Sequence, residues 1–368
     1  MTTPVSPHPS TFARARALIS ASALHQNLRF LSEKAGVPLL WPMKANAYGH
    51  GIDVVAPVAA ESEAVWGMAV ATPAEALELT EQLRGLNCPK PVMIFGASFP
   101  DEWPALVAAG VHLTISTLAE AEALPEGAQA HLKVNTGMNR LGASPADAVA
   151  VGRRLEEREL LAGVFSHFTE AEEPDQTLSR QQFQTFQAVA QHFPEVRHHM
   201  GNSAAVLNLG PLPGMALARP GLSAYGVMPP SGAPGLTPAM TLQARITYLH
   251  TAAAGERVSY NGLSTLDRDS LIATVAIGYA DGYPRRATGQ AEVLIGGERR
   301  PVLGRVCMDQ LMVDATGLDL RAGDWVTLWG RDAGGQELHI SEVARWSEMA
   351  EYEIFTRLST RIQRVAAP

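Results

Sequence analysis

Eight short apolar runs alternate with longer amphipathic segments across the first two-thirds of the chain, and this alternation constrains the fold most strongly. Apolar runs bounded by turn residues are typical of buried strands, whereas apolar residues at helical spacing indicate amphipathic helices. The strand candidates are Leu39–Lys44, Val65–Ala71, Val92–Phe95, Leu113–Ser116, Ala130–Asn135, Leu161–Ser166, Arg197–Met200 and Ala216–Arg219. The pattern predicts an α/β fold, an N-terminal (β/α)8 TIM-type barrel, with a doubly wound open sheet as the alternative.

Helical spacing appears between these runs, most clearly at Pro73–Leu83, Pro145–Leu155 and Leu178–His192. Thr72 and Ser144 each stand directly before a proline at the start of such a segment. A capping hydroxyl followed by proline in the first turn is typical of a helix start. These segments therefore support the alternation of strands and helices that a barrel requires.

The rhythm of the sequence changes near residue 235, after a stretch rich in proline and glycine at 229–235. Short runs with β character follow, and they predict a second, mostly β C-terminal domain. These runs are Leu242–His250, Leu271–Ile277, Ala291–Ile295, Arg305–Val313 and Trp325–Trp329, before a closing helix at Glu342–Thr360. The expected domains are 11–235 and 236–368, with the N-terminal tail as a candidate to pack on the second.

Composition excludes several classes of function. The formal net charge of the 368-residue chain is −8 and no basic cluster stands out, so we expect no nucleic-acid partner. Two cysteines, Cys88 and Cys307, give no disulfide framework and suit a reducing compartment. The first fifteen residues lack the apolar core of a signal peptide, and no apolar run is long enough to cross a bilayer. A soluble cytoplasmic protein without a membrane contact or a metal site is expected.

The barrel prediction places catalytic residues at the carboxyl ends of strands, with phosphate bound after the last two. Lys44 closes the first candidate strand, His167 follows the sixth, 201–203 follows the seventh and 219–222 the eighth. Burial against apolar walls lowers the pKa of a lysine, and the neutral amine can attack a carbonyl or take a proton from carbon. Lys44 is therefore a candidate catalytic amine, although a lysine closing a strand is the ordinary alternative.

Two of these segments favour anionic partners. Asn202 and Ser203 stand at a helix start, where free backbone N–H groups and the helix dipole favour phosphate; a simple helix cap is the alternative. Arg219 keeps its charge at any working pH, with a structural salt bridge as its alternative role.

A lone histidine such as His167 is more often structural than catalytic. We interpret His112, His131, His198 and His199 as structural or surface residues.

Four motifs resemble those of alanine racemases, two-domain enzymes that use pyridoxal 5'-phosphate (PLP). They are KANAYGHG at 44–51, KVNTGMNRLG at 133–142, GYADG at 278–282 and GRVCMD at 304–309. The resemblance spans both predicted domains, and it implies a racemase that interconverts L- and D-alanine. It also implies D-alanine biosynthesis, which supplies a cell wall precursor.

The resemblance implies a role for each catalytic candidate. Lys44 carries the cofactor and acts as one base, and Tyr279 of a partner subunit acts as the second. Two bases are needed because racemisation removes a proton from one face of a planar carbon and returns one to the other. Arg219 hydrogen-bonds the pyridine nitrogen and weakens the ring as an electron sink. His167 links Arg219 to the catalytic tyrosine.

Further site residues follow from the same motifs. The cofactor-binding residues implied are Lys44, Tyr48, Asn202, Ser203, Arg219, Gly221, Leu222 and Tyr225. The substrate-binding residues implied are Arg140, Cys307, Met308 and Asp309. Lys133 matches a lysine that is carbamylated in some members, but this chain has Asn135 where the family commonly has aspartate. The loss of that negative charge puts a carbamate on Lys133 in doubt.

The family also implies a head-to-tail homodimer whose active sites combine the barrel of one subunit with the β domain of another. A racemase of broader specificity, acting on serine or lysine, is the nearest alternative. A non-catalytic PLP-carrier protein is the alternative from another class. Such carriers resemble only the barrel half, so the GYADG motif disfavours that reading.

Overall fold

The computed structural model describes residues 13–227 and 234–367, which divide into two compact units. One unit comprises residues 22–227 and 234–237, and the other comprises residues 13–21 and 238–367. Relative to the expected domains, the main difference is at the beginning of the chain, where residues 13–21 belong to the second unit. The tail before residue 13 and most of the proline- and glycine-rich stretch at 229–235 lie outside the described residues.

The first unit is built on parallel strands that pair in chain order. The described residues begin with strand β1 (Ala15–Ser20), which belongs to the second unit, and helix α1 (Ala21–Ala35) follows it. The parallel strands are β2 (Leu39–Pro42), β3 (Val65–Val70), β4 (Val92–Ile94), β5 (His112–Ile115), β6 (Gln129–Lys133), β7 (Leu161–Phe165) and β8 (Arg197–His199). Their order and direction are those expected of a TIM-type barrel.

The predicted eighth strand is reduced to two bridging residues, which nevertheless close the sheet. Leu217 forms a parallel bridge with His199 of β8, and Ala218 forms one with Leu39 of β2. The segment ends there because the amide of Arg219 turns to donate to the carbonyl of Gly201, at 2.7 Å. The barrel prediction is therefore confirmed, with a very short final strand.

Helices connect the strands of the barrel. They are α2 (Lys44–Tyr48), α3 (Ile52–Glu61), α4 (Pro73–Gly85), α5 (Trp103–Ala108), α6 (Leu118–Ala123), α7 (Pro145–Glu157), α8 (Thr177–Ala190) and α9 (Ser203–Asn208), followed by a 3-10 turn at Leu222–Tyr225. The expected caps form, because Thr72 accepts from the amide of Glu75 and Ser144 from that of Asp147. Lys44 begins α2 two residues beyond β2, not at the end of the strand itself.

The second unit is an antiparallel barrel. Its further strands are β9 (Met240–Ala252), β10 (Arg257–Val258), β11 (Ser264–Thr265), β12 (Ser270–Val275), β13 (Glu292–Ile295), β14 (Glu298–Leu303), β15 (Leu311–Asp314), β16 (Trp325–Arg331), β17 (Glu337–Leu338) and β18 (Gln363–Ala367). The sheet runs β16-β13-β14-β15-β12-β9, and a pairing of β16 with β9 closes it. The mostly β second domain is confirmed.

Strand β1 joins this unit by pairing antiparallel with β9 and parallel with β18.

Two local expectations in this unit are wrong. The closing helix at Glu342–Thr360 is split into α10 (Ile340–Ser347) and α11 (Glu351–Arg357), because Glu348 adopts a left-handed conformation with φ of 53°. The strand expected at Arg305–Val313 begins only at β15, and residues 305–310 form a loop.

Three 3-10 turns complete the second unit, at Tyr260–Gly262, Tyr279–Asp281 and Arg285–Ala287. Within residues 13–227 and 234–367, every helix is too short or too polar to cross a membrane.

Candidate active site

Lys44 opens a left-handed turn at the carboxyl end of the barrel. Ala45, Asn46, Ala47 and Tyr48 have φ angles between 52° and 55°. L-residues avoid this conformation because Cβ crowds the following carbonyl, at a cost of roughly 1–2 kcal/mol per residue. A run of such residues is therefore strained, and contacts from elsewhere in the barrel must stabilise it.

Several hydrogen bonds hold the turn. Within it, the amide of Ala47 donates to the carbonyl of Met43 and that of Gly49 to the carbonyl of Ala45, both at 2.9 Å. The side-chain oxygen of Asn46 accepts from the amide of Ile52 at 2.7 Å. From outside, Oε1 of Glu75 accepts from the amide of Ala45 at 2.6 Å. The backbone on either side of Lys44 is therefore fixed.

The surroundings of Lys44 favour its neutral amine. The side chain is half-buried, and burial is the main cause that lowers its pKa. The nearby charge of Arg140 lowers the pKa further, while Glu75 raises it. A lysine with this balance supplies more neutral amine near neutrality than an exposed lysine does.

Arg219 is a buried cation that donates hydrogen bonds to neutral groups. Its side chain is 3% exposed. It donates to Nδ1 of His199 at 3.0 Å and to Nδ1 of His167 at 3.2 Å. It also donates to the carbonyls of Ser166 at 2.5 Å and Met200 at 3.1 Å. Burial lowers the pKa of Arg219 to about 9, so the guanidinium stays charged at neutral pH.

A chain of three histidines extends from Arg219 through the barrel interior. Nε2 of His199 lies 2.9 Å from Nδ1 of His131, and Nε2 of His131 lies 3.0 Å from Nδ1 of His112. Arginine has no acceptor, so Nδ1 of His199 must accept and its proton sits on Nε2. The same logic puts the proton of His131 on Nε2, so each ring donates away from Arg219.

Burial keeps these histidines neutral. The pKa values of His131 and His199 are lowered well below the ordinary range, mainly by burial, and that of His112 is lowered to about 4. Sequence reasoning assigned the three residues to structure or surface and missed the chain. One signal was available, because His131 and His199 fall within strands predicted to line one barrel. Gly163 makes room for the chain, since a Cβ there would lie 2.5 Å from Nδ1 of His131.

Lys133 is a second buried amine in the same unit. It is 6% exposed, and its Nζ lies 4.7 Å from the ring centre of Phe165. Burial first, then the charges of Arg219 and Arg140, lower its pKa well below the ordinary value. Strand β6 ends at Lys133, and the side-chain oxygen of Asn135 accepts from the amides of Gly137 and Asn139 in its own loop.

The residues expected at a phosphate lie close together. Asn202 caps α9 by accepting from the amide of Ala205 at 2.9 Å, and Ser203 accepts from the amide of Ser223 at 3.2 Å. A Cβ on Gly221 would lie 2.6 Å from the hydroxyl of Tyr48, so only glycine lets this hydroxyl approach the loop. A small cradle of hydroxyls and backbone thus forms beside the lysine turn, with Leu222 at the start of the adjacent 3-10 turn.

Tyr225 supports this cradle from beneath. It is fully buried, and its hydroxyl donates to the carbonyl of Pro42 at 3.0 Å. Its ring centre lies 5.2 Å from that of Tyr48 and 5.5 Å from that of Trp41. The structure thus gives Tyr225 a packing role beneath Tyr48.

In the second unit, Tyr279 is presented on a braced 3-10 turn. Its amide donates to the carbonyl of Cys307 at 3.1 Å, and that of Ala280 to the carbonyl of Met308 at 2.9 Å. Asp281 accepts from the amide of Gly278 at 2.9 Å. The side chains of Tyr279 and Met308 are 40% and 52% exposed, so both are available to a ligand or partner.

Arg361 forms ion pairs with both the 3-10 turn that carries Tyr279 and the loop at 305–310. It pairs with Asp281 at 3.1 Å and with Asp309 at 2.8 Å. The barrel unit brings together the expected Lys44, Lys133, Arg140, His167 and Arg219. After burial, the positive charges of this group lower the pKa values of Lys44, Lys133 and His167. The β unit brings together the expected Tyr279, Cys307, Met308 and Asp309. In the part of the chain that the structure describes, histidine, cysteine and acidic side chains form no cluster that could hold a metal.

Both units match known families. Residues 19–229 match the family model described as alanine racemase, N-terminal domain, and residues 239–366 match its C-terminal domain counterpart. An alanine racemase of Deinococcus radiodurans is 53% identical over 353 residues, covering 95% of this chain and 98% of that protein. An alanine racemase of Thermobifida fusca is 37% identical over 377 residues, covering 97% and 98%.

Solved structures agree with the sequence relatives. The crystal structure of alanine racemase from E. faecalis has a TM-score of 0.87 and 31% identity, covering 97% of this chain and 99% of that one. The alanine racemase from D-cycloserine-producing Streptomyces lavendulae has a TM-score of 0.86 and 34% identity, covering 98% of both. With matches across both units and close relatives along nearly its whole length, the chain belongs to the alanine racemase family and is an isomerase.

Proposed function

We propose that this chain interconverts L-alanine and D-alanine with PLP as its cofactor. The observation that carries the proposal is the half-buried Lys44, which opens a strained turn and whose pKa is lowered by burial and by the charge of Arg140. A strand-closing lysine of purely structural use would not need this turn. The names of the relatives supply the substrate, since each is described as an alanine racemase.

The residues present fit PLP by their chemistry. Tyr48, Ser203 and the backbone at Gly221 and Leu222 offer donors to a phosphate, and a side chain at position 221 would fill the space beside the Tyr48 hydroxyl. Lys44 offers the amine that such a cofactor requires. When bound, PLP supplies an electron sink that makes the Cα–H bond of an amino acid acidic.

Arg219 would control the strength of that sink. A guanidinium that stays protonated near neutrality donates to a ring nitrogen without giving up its proton. Arg219 would therefore leave that nitrogen unprotonated and weaken the electron sink, which would favour return of a proton to Cα over other outcomes. His167 and His199 orient Arg219 by accepting two of its hydrogen bonds.

Two bases would act on opposite faces of Cα. We assign one to the amine of Lys44 and the other to the hydroxyl of Tyr279 of the partner subunit, in a head-to-tail homodimer. The exposed side chain of Tyr279 and its braced turn support this assignment. Arg140, Met308 and neighbouring residues Cys307 and Asp309 would position the substrate carboxylate.

Lys133 is proposed as a candidate carbamate. A buried lysine with a strongly lowered pKa presents a neutral amine, whose nitrogen can bond to the carbon of carbon dioxide and release one N–H proton to solvent. The carbamate would bring negative charge to Arg140 and Arg219, which Asn135 does not supply. A cytoplasmic location and a role in supplying D-alanine for the cell wall complete the proposal.

Borohydride reduction tests the central assignment. The purified protein should be yellow, and reduction should fix a pyridoxyl group on Lys44, as located by peptide mass spectrometry. A label on another lysine would contradict the proposal.

Tyr279→Phe should still bind the cofactor yet lose most racemisation. Incubation with L-alanine, L-serine and L-lysine, followed by separation of enantiomers, distinguishes an alanine enzyme from one of broader specificity.

A further inference from the structure

The carboxylate of Glu75 joins the loop after β3 to the lysine turn after β2. Its Oε2 accepts from the amides of Ala71 at 2.8 Å and Thr72 at 3.1 Å. Its Oε1 accepts from the amide of Ala45 at 2.6 Å. One side chain therefore holds both the start of α4 and the residue that directly follows Lys44.

A second helix of the same barrel shows what capping alone requires. Glu120 begins α6 as Glu75 begins α4, with a threonine three residues earlier and a reciprocal capping box. Oε2 of Glu120 accepts from the amides of Ser116 at 2.8 Å and Thr117 at 2.9 Å. The cap is thus complete with one carboxylate oxygen, and the bond from Ala45 to Oε1 of Glu75 is an addition that capping does not explain.

The added bond lies where the backbone is strained. Ala45 is the first residue of the left-handed run. The hydrogen bonds within the turn are donated by the later amides of Ala47 and Gly49. A charged acceptor makes a stronger hydrogen bond than a neutral one. Glu75 is therefore suited to hold the conformation that local preference opposes.

Charge gives Glu75 a second effect on the lysine. Arg140 and Glu75 shift the pKa of Lys44, and Lys44 in turn lowers the pKa of His167. Arg140 is cationic and His167 is held neutral, so Glu75 supplies the negative charge in this set. It opposes the loss of proton affinity that burial imposes on the amine.

We propose that Glu75 is a positioning residue for Lys44, fixing the left-handed turn through the Ala45 amide and balancing the charge around the lysine. This role rests on the proposed function, in which Lys44 is the reactive amine. It assigns to a helix-capping carboxylate an effect on reactivity that its counterpart Glu120 lacks.

Matched variants separate the two roles. Glu75→Gln keeps the length of the side chain and removes its charge, whereas Glu75→Ala removes both; Glu120→Gln and Glu120→Ala make the same changes at the other cap. The full chain, prepared without cofactor, is acylated at several pH values, and labelling of Lys44 is measured by peptide mass spectrometry. Because Glu75 raises the pKa of Lys44, Glu75→Gln should move the midpoint of labelling to lower pH. Glu120→Gln should leave it in place.

Hydrogen exchange of the full chain tests the backbone contact. Loss of a charged acceptor in Glu75→Ala should speed exchange of the Ala45 amide by roughly 10- to 100-fold, relative to the wild type. Glu120→Ala should leave that amide unchanged while loosening the start of α6. Glu75→Asp, which keeps the charge but shortens the reach, should behave like Glu75→Ala at Ala45.

Two results would overturn the proposal. One is an equal midpoint of Lys44 labelling in the wild type and Glu75→Gln. The other is unchanged exchange of the Ala45 amide in Glu75→Ala. A failure of the proposed function would look different, because borohydride would then leave no pyridoxyl group on Lys44 of the wild type. The labelling and exchange measurements use the chain without cofactor and remain decisive in that case.

Discussion

Replacing Gly278 with alanine should disrupt the turn that presents Tyr279. A Cβ at this position would lie 2.3 Å from the carbonyl oxygens of both Cys307 and Met308, and these are backbone atoms that cannot rotate away. The backbone of Gly278 is extended, with φ of −152° and ψ of −164°, so alanine could adopt it without strain. Steric overlap is therefore the whole cause of the expected effect.

The size of the destabilisation by Gly278→Ala follows from the displacement of the loop at 307–308. Overpacking of a tight site typically costs about 1–3 kcal/mol. Moving the loop at 307–308 also weakens the bonds that its carbonyls accept from the amides of Tyr279 and Ala280, each worth about 1 kcal/mol. Together these losses lower the free energy of local opening by about 3–5 kcal/mol.

Hydrogen exchange of the Tyr279 and Ala280 amides reports this opening directly. A loss of about 3 kcal/mol corresponds to exchange roughly 100-fold faster than in the wild type. Gly85→Ala is the matched control, because nothing lies within 4 Å of a Cβ there and alanine is preferred in helix α4. Exchange at residues 279 and 280 that stays within a few-fold of the wild type in Gly278→Ala would refute the reasoning.

Two further predictions concern the histidine chain and an ion pair. Gly163→Ala should press on His131, weaken its bond to His199 and lower the free energy of unfolding in urea by about 2 kcal/mol; equal stabilities would contradict the close packing. Hydrogen bonds from Arg299 are the main cause that lowers the pKa of Glu342. The unfolded chain therefore binds this proton first, so the stabilisation is complete above about pH 4.5 and falls as the pH decreases further. Glu342→Gln should flatten this part of the stability profile, and an unchanged slope would show that the pair contributes nothing.

The positions of the barrel strands could be predicted because each buried strand has a local sequence pattern. Apolar runs bounded by turn residues coincide with β2 to β8, and the residues that follow them meet at one end of the sheet. This convergence is a property of parallel strands, so Lys44, His167 and Arg219 could be grouped before any distance was known. Their grouping in the barrel unit follows from topology alone.

The left-handed turn could not be predicted, because its cause is not local. Alanine, asparagine and tyrosine do not favour a run of positive φ angles. The contact that holds Ala45 comes from Glu75, thirty positions further along the chain. The sequence shows only Gly49 and Gly51 after this segment, and these glycines indicate a turn but not its hand.

The histidine chain was missed for a similar reason. His112 and His131 are 19 positions apart, and His131 and His199 are 68 apart, so no spacing connects them. Strand β1 was not among the strands predicted from the sequence. Its partners β9 and β18 lie in the last third of the chain, and only pairing reveals the association.

The charges in the barrel unit explain why this site should select anionic ligands. Arg219, Arg140, Lys133 and Lys44 each lower the pKa of His167, so all four act on one small region. Glu75 opposes this effect at Lys44, but its oxygens are already engaged by backbone amides. An incoming phosphate or carboxylate therefore relieves repulsion among cations that are already desolvated, and it gains more here than at an exposed site. Burial first, and then neighbouring positive charge, lowers the pKa of both lysines, and a bound anion would act in the opposite direction, so anion binding and amine reactivity depend on a single balance of charge.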